Sequence, residues 1–330
     1  MNDFTSSTVR ASVIIPSYND SDQLIGCLEA LDCQTVRSSL EIIVSRDGGD
    51  PLHPQVQEKA DLIVEEPHSG PASARNRGWR ASGGDYILFT DSDCVPAADW
   101  AEKLLNVLKE GADGVKGAYS SGGSLTIQRL AQIEFEERYR LLLKHGNIDL
   151  VDTYSAAFRR EALERTEGFD ESFSMPDHED VDLSYRMKAM GMKLMFEPDA
   201  LVAHTHRDSW GAYFRMKVSR GRWRMKVLRK FPDKAGGGSY TPFALKLQII
   251  LCMLLPFVFI PLLMGYHSFT FTFVGIWAGC IIISSIPLML IAARNERSLL
   301  PVLPFFVIWR GCALFSGMVL GIFTAGKAVE

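Results

Sequence analysis

Apolar and polar positions along the front of the chain fall into short alternating blocks. Residues 12–15 (SVII), 41–45 (EIIVS) and 86–90 (YILFT) are brief runs rich in β-branched and aromatic side chains. They stop at Pro16, at Asp47-Gly48-Gly49 and at Asp91-Ser92-Asp93. Apolar runs of this length, bounded by turn-forming residues, predict strands. The stretches between them, 21–33 (SDQLIGCLEALDC), 53–61 and 71–82 (PASARNRGWRAS), predict helices. Strands alternating with helices point to parallel βαβ units in an α/β domain. Ligands of such sheets bind beyond the carboxyl ends of the strands. The polar clusters at 16–20, 46–50 and 91–93 are therefore expected to share one crevice.

Further along, 99–110 (DWAEKLLNVLKE) predicts a helix with Asp99 as N-cap, and 124–145 a longer one. In the longer helix Glu134 and Arg138 stand four apart, which reads as an ion pair on a solvated face. Residues 178–190 predict a helix ending at Gly191, and 193–196 (KLMF) a short strand. From Phe243 the character changes. Residues 243–264 hold one charge, Lys246, and 269–293 none, so each is long enough to cross about 30 Å of hydrocarbon as a helix. Residues 299–323 are similarly apolar but carry Arg310, Pro301 and Pro304. Mid-bilayer charge is costly, which leaves spanning, re-entrant and interfacial placements open for that segment.

The net charge of −4 hides three unlike parts. Residues 1–214 carry a net −15, residues 215–230 a net +8 with no acid, and residues 231–330 a net +3. This divides the chain into a front domain (1–214), a basic juxtamembrane segment with a Gly-rich linker (215–242), and a membrane domain (243–330) with two to three transmembrane helices. The acidic front argues against nucleic acid as a partner. Basic loops mark the cytoplasmic side, which places the front domain in the cytosol on the inner, or plasma, membrane. The N-terminal MNDFTSSTVR lacks the basic and apolar regions of a secretory signal. Six scattered cysteines with no CxxC pair read as reduced residues rather than a disulfide or zinc framework.

The sharpest chemical feature is Asp91-Ser92-Asp93 at a strand end. Two carboxylates one residue apart can hold a divalent metal shared with substrate phosphates; a solvated turn is the competing reading. Around it stand VIIPSYND (13–20), Ser45-Arg46-Asp47-Gly48-Gly49-Asp50, Ala74-Arg75-Asn76-Arg77-Gly78, GFDESF (168–173) and Glu179-Asp180 followed by VDLSYR. In this order, across roughly residues 12–206, the motifs resemble those of family 2 glycosyltransferases of GT-A fold.

The resemblance implies a nucleotide-sugar-binding domain with a Rossmann-like mixed sheet, followed here by C-terminal transmembrane helices. It implies that Pro16 and Tyr18 shape the nucleotide pocket and Asp47 binds the nucleoside. Arg75 would lie near the diphosphate. Asp91 and Asp93 would hold nucleotide and metal, Mn²⁺ or Mg²⁺, with His204 close to the metal. Asp180 would be the catalytic base, with Glu179 beside it. Arg46 departs from the acidic residue usual at its position. Ser219-Arg220-Gly221-Arg222-Trp223 partly matches a Q-x-x-R-W segment of processive synthases, so Arg222 and Trp223 enter as donor-binding candidates. The bland reading of that segment is a basic helix on anionic lipid. His206 reads as a structural histidine. The expected activity is inverting, metal-dependent transfer from a nucleotide-diphosphate sugar, a UDP-sugar first, to a hydroxyl of a lipid-linked or polyprenyl-linked glycan in envelope or exopolysaccharide synthesis. A polyprenyl-phosphate sugar transferase and a short processive synthase are the alternatives.

Overall fold

The computed structural model describes residues 11–19, 21–121, 123–173, 175, 177–236 and 238–324. The N-terminal stretch that the sequence reads as lacking a secretory signal, and the final residues, lie outside this set. In chain order the elements are β1 (Ala11–Ser17), α1 (Ser21–Asp32), β2 (Leu40–Arg46), α2 (Pro54–Lys59), β3 (Leu62–Glu65), α3 (Pro71–Ala81), β4 (Tyr86–Thr90), β5 (Cys94–Pro96), α4 (Trp100–Lys109), β6 (Gly114–Ser121), α5 (Thr126–Leu142), β7 (Ser155–Arg159), α6 (Arg160–Arg165), α7 (Glu179–Ala189), β8 (Leu194–His204), α8 (Trp210–Lys230), α9 (Phe243–Val258), α10 (Ile260–Leu263), α11 (His267–Asn295) and α12 (Leu303–Thr324).

Two compact units result, 1–122 with 143–205, and 123–142 with 206–330. The first holds one eight-stranded sheet in the order β3-β2-β1-β4-β7-β6-β8-β5. Strands β3, β2, β1 and β4 run parallel, as the βαβ pattern predicts. β7 then runs antiparallel to both β4 and β6, and β5 antiparallel to β8, so the sheet is mixed. Val13, Ile14, Ile15, Ile42, Ile43, Val44, Ile87, Leu88 and Phe89 are fully buried. Continuous apolar runs of this kind belong to strands covered on both faces.

The second unit is helical. Ile127, Leu130, Tyr213, Leu251, Leu288, Phe306 and Val307 share its core. Three of its helical stretches, Phe243–Leu263, His267–Asn295 and Leu303–Thr324, are long and apolar enough to cross a membrane. The third includes the segment whose placement the sequence left open. Pro304 sits in the first turn of α12, where its missing N–H costs no hydrogen bond.

Some expectations need correction. β8 is an eleven-residue strand, far longer than 193–196. Asp99 occupies the N-cap position of α4, but its carboxylate makes no cap bond and pairs with Lys103 at 2.7 Å. Glu134 and Arg138 do pair, yet the face is not solvated: their side chains are 2% and 11% exposed. The basic stretch 215–230 is wholly helical and continues a helix begun at Trp210, since α8 runs unbroken to Lys230. The compact units do not follow the boundary at 214, because α5 groups with the C-terminal helices. All six cysteines are free thiols.

Candidate active site

The carboxyl ends of β1, β2 and β4 carry the three polar clusters. At the end of β2, Asp47 turns inward and is nearly buried. The Ser69 N–H donates to its Oδ1 at 2.8 Å and the Gly70 N–H to its Oδ2 at 2.9 Å. His68 Nδ1 lies 2.7 Å from Oδ2. Asp47 thus ties the β2 turn to the start of α3. Gly49, at φ +96°, has no room for a Cβ, which would stand 2.3 Å from Asn19 Oδ1. Arg46 turns back to Glu65 at 2.6 Å and to the Gly49 carbonyl at 2.7 Å. Half-buried Pro16 stands opposite Ser45, and the pairing of β1 with β2 runs on to Ser17 opposite Arg46. Tyr18 is half exposed, its ring 4.7 Å from that of His68.

Arg75 organises the next layer. It is 3% exposed and lies on α3. Its Nη1 donates to Glu179 Oε1 at 2.6 Å and its Nη2 to Asp91 Oδ1 at 2.9 Å. One guanidinium therefore joins the end of β4 to the start of α7. Asn76 beside it holds the loop before α7: its Nδ2 donates to the Phe169 carbonyl at 2.8 Å, and its Oδ1 accepts from Phe169 N–H at 2.9 Å. The spacing of Arg75-Asn76 thus serves two distant segments at once.

At the start of α7, His178 adopts a left-handed φ of 73° immediately before Glu179-Asp180. Such strain in a bulky residue clusters at functional sites. Burial, followed by the charges of Glu179 and Asp152, raises the Asp180 carboxyl well above the usual range; Arg75 opposes it. Asp182 is tied to Arg186 at 2.7 Å and is fully buried, so it serves the helix. Glu179 is also buried and bound to Arg75, while its Oε2 has no hydrogen-bond partner among the described residues. On strand β6, Lys116 pairs with Asp152 and with the Tyr154 hydroxyl at 2.8 Å. Tyr154 stacks on Tyr119 at 3.6 Å, and Tyr119 on His204 at 4.9 Å.

Asp93, just beyond the carboxyl end of β4, meets His204, the last residue of β8, with Nδ1 and Oδ1 3.5 Å apart. A carboxylate and an imidazole converging there fit a divalent cation, and the imidazole favours Mn²⁺ over Mg²⁺. Cys94, which sequence reasoning passed over, completes a cluster whose donor atoms lie within 4.8 Å of one another. Asp91, by contrast, is engaged by Arg75.

Residues 12–166 match the pattern of glycosyl transferase family 2. The chain carries a family 2 glycosyltransferase domain. Over 243 residues it is 30% identical to the pre-mycofactocin glycosyltransferase of Mycobacterium tuberculosis, covering 68% of this chain and 48% of that one. The chain thus spans about half the length of that relative. Glycosyltransferase AglE of Haloferax volcanii is 26% identical over 240 residues, 68% of this chain and 75% of that one. In structure the chain resembles a mannosyltransferase from Pyrobaculum calidifontis in complex with GDP-Man and Mn²⁺, with TM-score 0.60, 19% identity, and coverage of 95% and 87%. The fold of this glycosyltransferase domain is GT-A.

The remaining candidates fall in the second unit. On α8, Arg222 Nε donates to Thr324 Oγ1 at 3.1 Å, and Trp223 carries Lys226 over its ring at 5.1 Å. His206 is a satisfied structural group, with Nε2 3.0 Å from Gln132 Oε1 and its ring stacked on Phe135. Beyond Cys94, Lys116, Asp152, Tyr119 and Tyr154 also escaped the sequence reading. Only the adjacency of Cys94 to Asp93 was visible in one dimension; the others are joined by strand order.

Proposed function

We propose that the chain is an inverting, metal-dependent glycosyltransferase. It would move a sugar from a nucleotide-diphosphate donor, a UDP-sugar first, to a hydroxyl of a lipid-linked or membrane-proximal glycan. The observation that carries the reading is the Arg75 bridge, which holds the β4 acidic turn and the α7 acidic start against one another. A donor held at one end and a base at the other is what direct displacement at an anomeric carbon requires.

In this reading Asp93 and His204 hold Mn²⁺ or Mg²⁺, which when bound neutralises the leaving nucleoside diphosphate. Pro16 and Tyr18 shape the nucleoside pocket, and Asp47 orders its floor. Arg75 acts from within by positioning Asp91 and Glu179, since its guanidinium is buried and engaged on both sides. Asp180 takes the proton of the acceptor hydroxyl. A single base and a single displacement invert the anomeric carbon.

The three apolar helices support an acceptor at the membrane, and the relatives' names support glycosyl transfer. The basic loops support a cytoplasmic catalytic face on the plasma membrane, in envelope or exopolysaccharide synthesis.

The test is a donor screen on detergent-purified protein. Nucleoside diphosphate release is followed with UDP- and GDP-sugars, Mn²⁺ or Mg²⁺, and lipid extract as acceptor. Metal-dependent release that disappears in Asp180→Asn and in Asp93→Ala supports the reading. Full activity in Asp180→Asn overturns the choice of base and favours a lipid-phosphate acceptor, already ionised.

A further inference from the structure

The residue after the acidic turn is a cysteine, and strand pairing decides what it faces. β5 and β8 run antiparallel with Cys94 directly opposite His204. Directly opposed residues project from the same face of a sheet, with Cβ atoms about 4.5–5.5 Å apart. The thiol and the imidazole are therefore neighbours by register, and Asp93 is the next residue in the chain. Two of the three donor–donor edges have lengths that a coordination polyhedron requires, and all three donors lie within 4.8 Å of one another. Asp93 Oδ1 lies 3.5 Å from His204 Nδ1 and 3.7 Å from Cys94 Sγ. Tetrahedral zinc, with Zn–N and Zn–O near 2.1 Å and Zn–S near 2.3 Å, demands edges of about 3.4 Å and about 3.6 Å for those two pairs.

We propose that Asp93, Cys94 and His204 form a mixed carboxylate–thiolate–imidazole site that takes a borderline-soft divalent cation, Zn²⁺, in competition with Mn²⁺ or Mg²⁺. The inference rests on the reading of Asp93 and His204 as the metal face and adds Cys94 to it. Binding replaces the thiol proton by the metal: the S–H bond breaks, the S–Zn bond forms, and the proton passes to solvent. Zinc also outranks manganese for nitrogen and sulfur ligands. With three protein ligands on a four-coordinate ion, one position stays open. A hard, six-coordinate ion held by Asp93 and His204 alone leaves several for the donor diphosphate. Zinc at this site consequently binds tightly and blocks transfer, which makes Cys94 the residue that determines metal choice.

The experiment uses the full chain in detergent with Cd²⁺ as the spectroscopic stand-in for Zn²⁺. Cadmium gives wild-type protein a near-ultraviolet sulfur-to-metal charge-transfer band. The band is lost or sharply reduced in Cys94→Ser and weakened in His204→Ala. Cys33 is exposed and present in every variant, so only the difference between variants counts. No band in wild type, or an equal band in Cys94→Ser, overturns the proposal.

Manganese binding, read by the free-ion paramagnetic resonance signal, separates this inference from the one beneath it. Wild type and Cys94→Ser are both expected to bind Mn²⁺, which also shows that the variant is folded. Zn²⁺ displaces that Mn²⁺ from wild type at a concentration at least about tenfold lower than from Cys94→Ser. Equal displacement in the two overturns the role of the thiol. Failure of both to bind Mn²⁺, with a cadmium band that depends on Cys94, overturns the hard-metal reading and leaves the thiolate site standing.

Discussion

At the level of single residues the proposed chemistry turns on Asp180 and its neighbours. As the proposed base, Asp180 must be ionised to act, and burial with the Glu179 and Asp152 charges holds its carboxyl well above the usual range. Activity is therefore expected to rise with pH through that elevated value, not through the ordinary carboxylate range. Asp152→Asn removes one of the opposing negative charges and frees Lys116 to act as an unbalanced positive charge. Both changes favour ionised Asp180, so the acidic limb of the kcat profile moves to lower pH. An unmoved limb would separate Asp152 from the base. Asp180→Asn itself should lower turnover by about 10²–10⁴-fold with nucleotide binding retained, which calorimetry of nucleotide binding beside a rate assay would establish. Asp182→Asn serves as the contrast. Its ion pair with Arg186 is structural, so it is expected to lower the unfolding temperature before it lowers the intrinsic rate.

Elements that looked solvated in one dimension are held together by buried charge. Glu134 on α5 meets Lys217 of α8 at 2.7 Å and accepts from the Tyr213 hydroxyl at 2.7 Å, while Arg138 reaches it from the next turn. Arg310 of α12, itself fully buried, lies 3.8 Å away and donates to Gln248. Burial alone would raise the Glu134 carboxyl, but Lys217, Arg138 and Arg310 outweigh it and hold it well below the usual range. A carboxyl depressed on folding contributes stability above its unfolded value, and that contribution fades as pH falls through the range between the two. Glu134→Gln leaves the cations uncompensated and should cost about 3–5 kcal/mol, read as a lower midpoint of thermal unfolding in detergent at neutral pH, with the gap to wild type narrowing in acid. Next to this cluster α8 and α12 touch backbone to backbone, for a Cβ on Gly317 would stand 2.1 Å from the Val218 carbonyl. What the sequence made legible follows from these examples. Strands β1, β2 and β4 were readable because their apolar runs are continuous. β6 (GVKGAYSS) and β7 (SAAFR) were not, because their burial comes from neighbours rather than from an apolar run. The acidic pair at 91–93, Glu179 and Asp180 were visible as motifs. The Arg75 bridge and the thiol opposite His204 were not, because both depend on which strands and helices lie side by side.

At the scale of the whole chain, charge and hydropathy argue one orientation. The front carries most of the acid, α8 carries the basic cluster, and α9 to α12 present Phe243, Phe257, Leu263, Phe271 and Phe323 as exposed apolar surface. Exposed surface of that kind, on helices long and apolar enough to cross a membrane, is suited to lipid. Not all of the basic segment is available to a membrane surface, because Lys217 is buried against Glu134 while Arg215, Arg229 and Lys230 are exposed. Each exposed cation near an anionic leaflet is worth about 1 kcal/mol, which favours keeping α8 on the cytoplasmic side. With α8 inside, α9 leads outward, the turn at 265–266 lies outside, α11 returns, and Arg294 and Arg297 come back to the cytoplasmic side. The native cysteines offer a direct measurement. Cys33 is exposed on the sheet domain, and Ser268 and Ser298 can be changed to cysteine one at a time at the two turns. A membrane-impermeant thiol reagent applied to sealed right-side-out vesicles should label Ser268→Cys and spare both Cys33 and Ser298→Cys until the membrane is opened. Labelling of Cys33 in sealed vesicles reverses the orientation and moves the catalytic domain to the outer face.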